Sequence, residues 1–207
     1  MTYQAGAHCG DLDAATQSQN RAVVCGSCYS LGAGFLSHGG FGALARLHGL
    51  AIDSLISVDL VTADGTLVTA NATSNSDLFW GVRGALPNFG VAVAFTVQTF
   101  DVSTYYGGVV RFLASSLPQV GEWVRNHADD PNLHARTILG FSAAVSGGRL
   151  LTLEIAVWGD SSREEKAQYL SGLLALPGFL SSVLGTRTYF DQQISTKPTI
   201  DATRPGM

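Results

Sequence analysis

Hydrophobic and polar positions in the first fifty residues alternate in short blocks that predict strands and helices in turn. Residues 1–6 predict a short strand, and apolar residues at helical spacing predict a helix over 11–18. The run RAVVC at 21–25 is typical of a short buried strand. Apolar positions spaced by three and four predict a further helix over 40–48, with Gly49 as its terminating residue.

A hairpin follows this helix in the sequence. Residues 55–63 and 66–70 have strand character, and Asp64-Gly65 between them is a strong turn signal. A short helix capped by Asn75 or Ser76 is expected to end at Gly84. The β-rich run FGVAVAFTVQTF then occupies residues 89–100.

The pattern becomes simpler after residue 101, and we place a boundary near residue 102. The predicted elements are strands over 105–113, 135–145 and 149–158 and helices over 116–127 and 162–174. Ser162 and Glu165 form a capping box, and Gly147-Gly148 predicts a turn between two of the strands. These elements indicate an α+β layer, an antiparallel sheet with helices on one face. Residues 178–207 show no clear closing element.

Composition and charge exclude several function classes. The chain has 207 residues, a net charge of -4 and only 14% charged residues, with no run of Lys or Arg. Nucleic acids and anionic membrane surfaces both require a basic face, so neither is an expected partner. No apolar run is long enough to span a bilayer. The first fifteen residues lack the basic and apolar regions of a signal peptide, and localisation is not readable from them.

Three cysteines, Cys9, Cys25 and Cys28, lie within the first thirty residues. Three is an odd number and too few for a disulfide scaffold. Cys25 and Cys28 have CxxC spacing, which leaves a redox dithiol open, whereas a zinc site would need further ligands that the sequence does not show. Taken alone, Cys28 is interpreted as a small buried hydrophobe.

The region 26–42 is unusually rich in glycine. Its six glycines are Gly26, Gly32, Gly34, Gly39, Gly40 and Gly42. The third glycine of a GxGxxG fingerprint is replaced by Ser37, and no P-loop motif occurs. Tight turns with close helix packing and a loop around a bulky ligand are equally good interpretations. His38 is expected to form structural hydrogen bonds, and His48 to complement a helix dipole.

Three segments in order, GSCYSLGAGFLSHGGFG at 26–42, LHGLAIDSLISVDLVTADGTLV at 47–68 and DLFWGVRGALPNFGVAVAF at 77–95, resemble one enzyme family. They are similar to the FAD-linked oxidases of the berberine bridge enzyme-like group, within the vanillyl-alcohol oxidase superfamily of flavoproteins. The fungal oligosaccharide oxidase branch is the most similar. The resemblance implies that residues 1–102 form the second subdomain of a PCMH-type FAD-binding domain. Residues 103–207 would be part of the substrate-binding domain, an antiparallel sheet with helices on one face.

The resemblance also implies roles for individual residues. Cys28 falls in the G-x-C segment that many members bond to C6 of the flavin, so covalent FAD attachment is expected there. The residues implied in FAD binding are Gly26, Ser27, Cys28, Gly32, Gly34, Ser37, Gly39, Gly40, Gly42, Leu50, Asp53, Gly90 and Val91. The loop is about one residue shorter than is usual in the family, Phe35 replaces a frequent histidine, and residues 85–87 replace a glycine-rich turn. No catalytic base and no metal ligand is assigned.

The implied function is an FAD-dependent oxidoreductase that takes hydride from an alcohol or sugar-type substrate and passes electrons to O2. Its partners would be a small carbohydrate or secondary metabolite and O2. The family has a pyrophosphate-binding subdomain before the matched region and closing strands after it, so the chain is expected to be a central fragment. The alternative is a truncated, non-catalytic remnant that binds FAD weakly or not at all. A CxxC redox or metal protein is a third hypothesis.

Overall fold

The computed structural model describes residues 1–102, 104–130, 133–138, 150–159 and 161–191. The described residues divide into two compact units, one formed by Met1–Val102 together with residues 189–191 and the other by the described residues between 104 and 188. The predicted domain bounds, 1–102 and 103–207, stay a prediction. Within the described residues, no helix combines the length and the apolar character needed to cross a membrane.

The first unit combines short helices with two sheets. Its elements in chain order are β1 (Thr2–Gln4), α1 (Cys9–Gln17), β2 (Arg21–Ala22), α2 (Ala33–Leu36), α3 (Ala45–His48), a 3-10 helix (Ala51–Ser54), β3 (Leu55–Val61), β4 (Leu67–Asn71), α4 (Ser76–Ala85), a 3-10 helix (Leu86–Asn88), β5 (Val91–Val97) and β6 (Phe100–Asp101).

The main sheet of this unit is antiparallel, with strand order β1-β5-β3-β4. The predicted hairpin between β3 and β4 is confirmed. Gly65 has a φ of 82°, which favours glycine, and the Asp64 carboxylate accepts hydrogen bonds from Thr62 and Thr66. Val58, Phe95 and their neighbours are buried on one face of the sheet.

Helix α1 begins two residues earlier than the pattern predicts. The His8 backbone N–H donates to Asp11 Oδ2 at 2.9 Å. Asp11 therefore lies in the first turn of the helix, and its carboxylate binds the residue that precedes the helix. After α1, the short strand β2 pairs with β6, and Arg21 bonds both Thr99 and Asp101 across this pair.

The second unit is a four-stranded sheet with two long helices. Its elements in chain order are β7 (Thr104–Leu113), a 3-10 helix (Ala114–Ser116), α5 (Leu117–Asn126), β8 (Leu133–Ile138), β9 (Leu150–Val157), α6 (Arg163–Leu174) and β10 (Phe179–Thr188). The sheet is antiparallel throughout, in the order β10-β7-β9-β8.

The core of the second unit lies between one sheet face and both helices. Alternate residues of β7 and β9 meet Val120 and Trp123 of α5 and Leu170 and Leu173 of α6 in one buried cluster. Because residues of a strand alternate between faces, α5 and α6 cover the same face. The predicted α+β class and the capping box that starts α6 are confirmed.

Two predictions of secondary structure are wrong. The helix predicted over 40–48 shrinks to Ala45–His48, because Gly39 and Gly40 form a tight turn and Phe41 lies exposed instead of in the core. Residues 179–188, predicted to lack a closing element, form the edge strand β10. The predicted Gly147-Gly148 turn lies outside the described residues.

Candidate functional site

The glycine-rich loop is folded by a turn at Gly39 and Gly40. Their φ angles of 110° and 70° lie in the region that favours glycine. The two carbonyls accept hydrogen bonds from Ile52 N at 2.9 Å and Ala51 N at 2.8 Å. The turn therefore joins the loop to the 3-10 helix that carries Asp53.

The remaining glycines of the loop serve two different purposes. A Cβ on Gly42 would collide with the Cys25 carbonyl, so this glycine permits close backbone packing. By contrast, a Cβ on Gly34 would meet nothing within 4 Å, and one on Gly39 would meet only Leu50 Cδ1, at 4.0 Å. Phe41, 69% exposed, lies in the same loop. The loop thus contains both tight turns and an open, side-chain-free stretch of backbone.

The cysteines are paired differently from the CxxC hypothesis. Cys9 and Cys25 form a disulfide with a Cα–Cα distance of 5.9 Å, and Cys28 is a half-buried thiol outside this disulfide. The Cys28 Sγ lies 3.5 Å from Ser30 Oγ. A Cys25–Cys28 redox pair is therefore wrong, and Cys28 keeps the thiol that a covalent flavin bond would need.

Ser37 and His38 both bond the backbone of the loop. The Gly34 carbonyl accepts hydrogen bonds from Ser37 Oγ at 3.1 Å and from His38 Nδ1 at 2.7 Å. Because a carbonyl cannot donate, the proton of a neutral His38 lies on Nδ1. The structural hydrogen bond expected of His38 is confirmed.

His48 is the last residue of α3, which is the predicted position at a helix end. Its ring stacks on Phe100, with 4.1 Å between the ring centroids. Burial lowers the pKa of His48 below its ordinary value, which disfavours the cation that would complement the helix dipole.

Asp53 joins two of the three segments that carry the resemblance. Its Oδ2 accepts a hydrogen bond from Leu50 N at 2.9 Å, and its Oδ1 lies 3.5 Å from Arg83 Nη2. A cavity of about 420 Å³ opens beside this pair. It is lined by Ile52, Asp53, Trp80, Gly81, Arg83, Gly84 and Ala85. Sequence reasoning missed Trp80 and Arg83, because a contact across thirty residues leaves no local signal.

The other predicted residues are placed as follows. Gly32 precedes α2 and bridges to His8, while Gly26 and Ser27 lead into Cys28. Gly90 lies so close to the Val61 carbonyl that a Cβ would not fit, and Val91 starts β5 beside Val61. The structure thus groups Asp53 with residues 80–85 and Gly90 with the sheet. The FAD-binding roles of all these residues stay predictions.

The arrangement fits a flat cofactor. The backbone at Gly34 and Gly39 is open, Phe41 and Leu50 offer exposed apolar surface, and Cys28 supplies a thiol that is not disulfide-bonded on the same loop. A planar ring can lie against such backbone, because no Cβ intervenes. Among the described residues, no group of three His, Cys, Asp or Glu side chains is placed to hold a metal ion.

Comparison with known proteins identifies FAD as the cofactor of the matched family. Residues 1–71 match the FAD binding domain family. A carbohydrate oxidase of Microdochium nivale is 44% identical over 97 residues, which cover 46% of this chain and 20% of that protein. A xylooligosaccharide oxidase of Thermothelomyces thermophilus is 46% identical over 101 residues, covering 48% of this chain and 20% of that protein. The matched region thus spans about a fifth of the length of these relatives.

Solved structures agree with the sequence comparison. The crystal structure of the Microdochium nivale carbohydrate oxidase, bound to a substrate analogue, matches with a TM-score of 0.75 and 28% identity, over 95% of this chain and 42% of that one. The 6-hydroxy-D-nicotine oxidase of Arthrobacter nicotinovorans matches with a TM-score of 0.81 over 94% of this chain and 44% of that one. At 23% identity, the latter shows the fold alone. The predicted resemblance to FAD-linked oxidases is confirmed in sequence by the FAD binding domain match and by these relatives, and a berberine bridge enzyme-like protein of Physcomitrella patens, at 24% identity, shares the fold.

Proposed function

We propose that the protein is an FAD-dependent oxidase acting on a sugar-type substrate, because residues 1–71 match the FAD binding domain family. The observation that supports it most directly is the open backbone at Gly34 and Gly39, on the same loop as the Cys28 thiol, which lies outside the disulfide. This loop lies within the segment that matches the FAD-binding domain.

In this proposal the chain's own residues hold and orient the cofactor. The backbone from Gly34 to Gly39 would lie against the flavin ring, and the Cys28 thiol would be its point of covalent attachment. Asp53 accepts a hydrogen bond from Leu50 N at the start of the 3-10 helix Ala51–Ser54. The first residues of this helix in turn donate hydrogen bonds to the carbonyls of Gly39 and Gly40. Bound FAD supplies the chemistry, accepting hydride from the substrate and passing the electrons to O2.

The relatives support a carbohydrate as the substrate. Those matched include a carbohydrate oxidase, a xylooligosaccharide oxidase and a chitooligosaccharide oxidase. Each shares 40% identity or more over the matched region. We therefore propose that the substrate is an oligosaccharide and that O2 is the electron acceptor. The non-catalytic remnant is not favoured by these relatives.

Cofactor binding is tested by blocking the open backbone. The Gly34→Val variant places a side chain where nothing lies within 4 Å, so the loop should fold while the surface is obstructed. We expect FAD affinity, measured by flavin fluorescence quenching, to fall by about tenfold or more, equivalent to about 1.4 kcal/mol. Gly121→Val is the matched control, because Gly121 is equally open but lies on α5.

The proposed function is refuted if the wild-type chain neither copurifies with flavin nor quenches added FAD. Covalent attachment is tested separately with Cys28→Ala. Acid precipitation should release all flavin from this variant and leave flavin on the wild type. Hydrogen peroxide formation with xylo-, chito- and gluco-oligosaccharides then tests the substrate class.

A further inference from the structure

The first turn of helix α1 is fastened to the segment that carries Cys28. Cys9, the first residue of the helix, is bonded through its side chain to Cys25, and both cysteines are buried. The Gly26 N–H also lies 3.4 Å from Cys9 Sγ. The chain therefore enters the 26–32 segment from a covalently fixed point.

Backbone hydrogen bonds fasten the far side of the same segment. The first N–H groups of a helix have no partner within the helix. In α1, Cys9 N donates to the Leu31 carbonyl at 2.7 Å, and Gly10 N donates to the Tyr29 carbonyl at 3.1 Å. The free donors at the start of α1 are thus used to hold residues on the C-terminal side of Cys28.

Side chains complete the connection. The Tyr29 ring packs against Gly10 so closely that a Cβ there would overlap the ring. The Tyr29 hydroxyl donates to Asp11 Oδ1 at 3.2 Å. His8 and Gly32 form an isolated antiparallel bridge at the end of the segment. Cys28 therefore lies in a short span that is held at both ends by one helical turn.

We propose that the first turn of α1 holds Cys28 in position, and that the Cys9–Cys25 disulfide anchors the Cys28 segment covalently to this turn. The cofactor part of this inference rests on the proposed function, because Cys28 is there the residue that holds the flavin. Neither Cys9 nor Cys25 touches the cofactor in this scheme. A covalent bond to a ring needs the sulfur at one place, and small displacements of reacting groups are costly.

The test removes the Cys9–Cys25 disulfide and measures the alkylation rate of Cys28 directly. In flavin-free Cys9→Ala/Cys25→Ala protein, Cys28 is the single cysteine thiol outside a disulfide, as it is in flavin-free wild type, so the two alkylation rates can be compared. We expect iodoacetamide to label Cys28 about threefold faster or more in the variant, because a less constrained thiol is more accessible. The FAD affinity should fall by about tenfold, and the acid-stable fraction of flavin should fall with it.

Two controls separate positioning from general loss of stability. Val58→Ala removes buried volume from β3 in the same unit and should lower the melting temperature without changing the labelling rate of Cys28. Tyr29→Phe keeps the disulfide and removes the hydroxyl that bonds Asp11. It should give a smaller rise in labelling rate, and it provides the test if the double alanine variant does not fold.

The outcomes distinguish this inference from the proposed function. If the wild type fails to bind FAD, the proposed function falls, while the labelling rate of apoprotein Cys28 still decides the inference. If both variants label Cys28 at the wild-type rate, α1 does not position the thiol and the inference is overturned. The same holds if Val58→Ala accelerates labelling as much as the double variant does.

Discussion

Asp13 should make the stability of the first unit fall as pH rises from acid to neutral. The residue lies on the buried side of α1, 2% exposed, and neither carboxylate oxygen has a hydrogen-bond partner within the described residues. Burial raises the pKa of Asp13 from its ordinary value of 3.8 to about 8. The folded state therefore keeps the proton at pH values where the unfolded chain releases it.

The sign and size of the effect follow from this difference. A group whose pKa is raised on folding contributes stability that is complete below its unfolded pKa and is lost as pH rises toward its folded pKa. Each pH unit in that interval costs about 1.4 kcal/mol. Between pH 5 and pH 8 the unfolding free energy of the wild type should therefore fall by about 4 kcal/mol through Asp13 alone.

Asp13→Asn removes the titration while keeping the size of the side chain. We expect the unfolding free energy of this variant, relative to wild type, to rise by about 4 kcal/mol from pH 5 to pH 8. Urea unfolding at four pH values, read by pulsed hydrogen exchange on a peptide from β3, reports the unit that contains Asp13.

The matched control is Asp11→Asn on the same helix. A hydrogen bond from the His8 backbone N–H is the main cause that lowers the pKa of Asp11, so this carboxylate stays ionised throughout the window. The unfolding free energy of Asp11→Asn should therefore change with pH in parallel with that of the wild type from pH 5 to pH 8. Parallel profiles for Asp13→Asn and wild type would mean that Asp13 is ionised in the folded state and that burial does not raise its pKa.

Four further substitutions test the packing and the cap of α6 by urea denaturation. Gly42→Ala drives a Cβ into the Cys25 carbonyl and should cost about 2 kcal/mol, whereas Gly34→Ala enters open space and should leave stability unchanged; equal costs would contradict this account. Ser162→Ala removes the side-chain acceptor at the start of α6 and should cost about 1 kcal/mol, and an unchanged midpoint would argue against the cap. Leu153→Ala should cost about 3 kcal/mol, because Leu153 is fully buried in the second core; a cost under about 1 kcal/mol would show that the core collapses around the gap.

Local chemistry made parts of the fold predictable. The Asp64-Gly65 turn and the Ser162 capping box are specified by residues only a few positions apart, and both occur as predicted. The helix at 40–48 failed for an equally local reason. The spacing of Phe41 and Leu44 is helical, but only Leu44 is buried, since the glycine turn directs the chain elsewhere.

Contacts between distant residues were not predictable. Cys9 could pair with either of two cysteines, and nothing in their spacing favours Cys25 over Cys28. Asp53 and Arg83 meet only because, after the β3–β4 hairpin, the chain brings α4 back beside the 3-10 helix Ala51–Ser54. The strand β10 lacks strict alternation, because as an edge strand with an irregular register it buries little of either face.

The Cys9–Cys25 bond also affects how the protein should be produced for any of these measurements. The reducing cytosol keeps cysteine thiols reduced, whereas secretory compartments allow disulfides to form and persist. We expect cytosolic expression to yield a chain with three titratable thiols, and export to the bacterial periplasm to yield one. A thiol count on each preparation therefore has to come before any flavin assay. A colourless sample with three thiols would reflect its biosynthesis rather than its cofactor specificity.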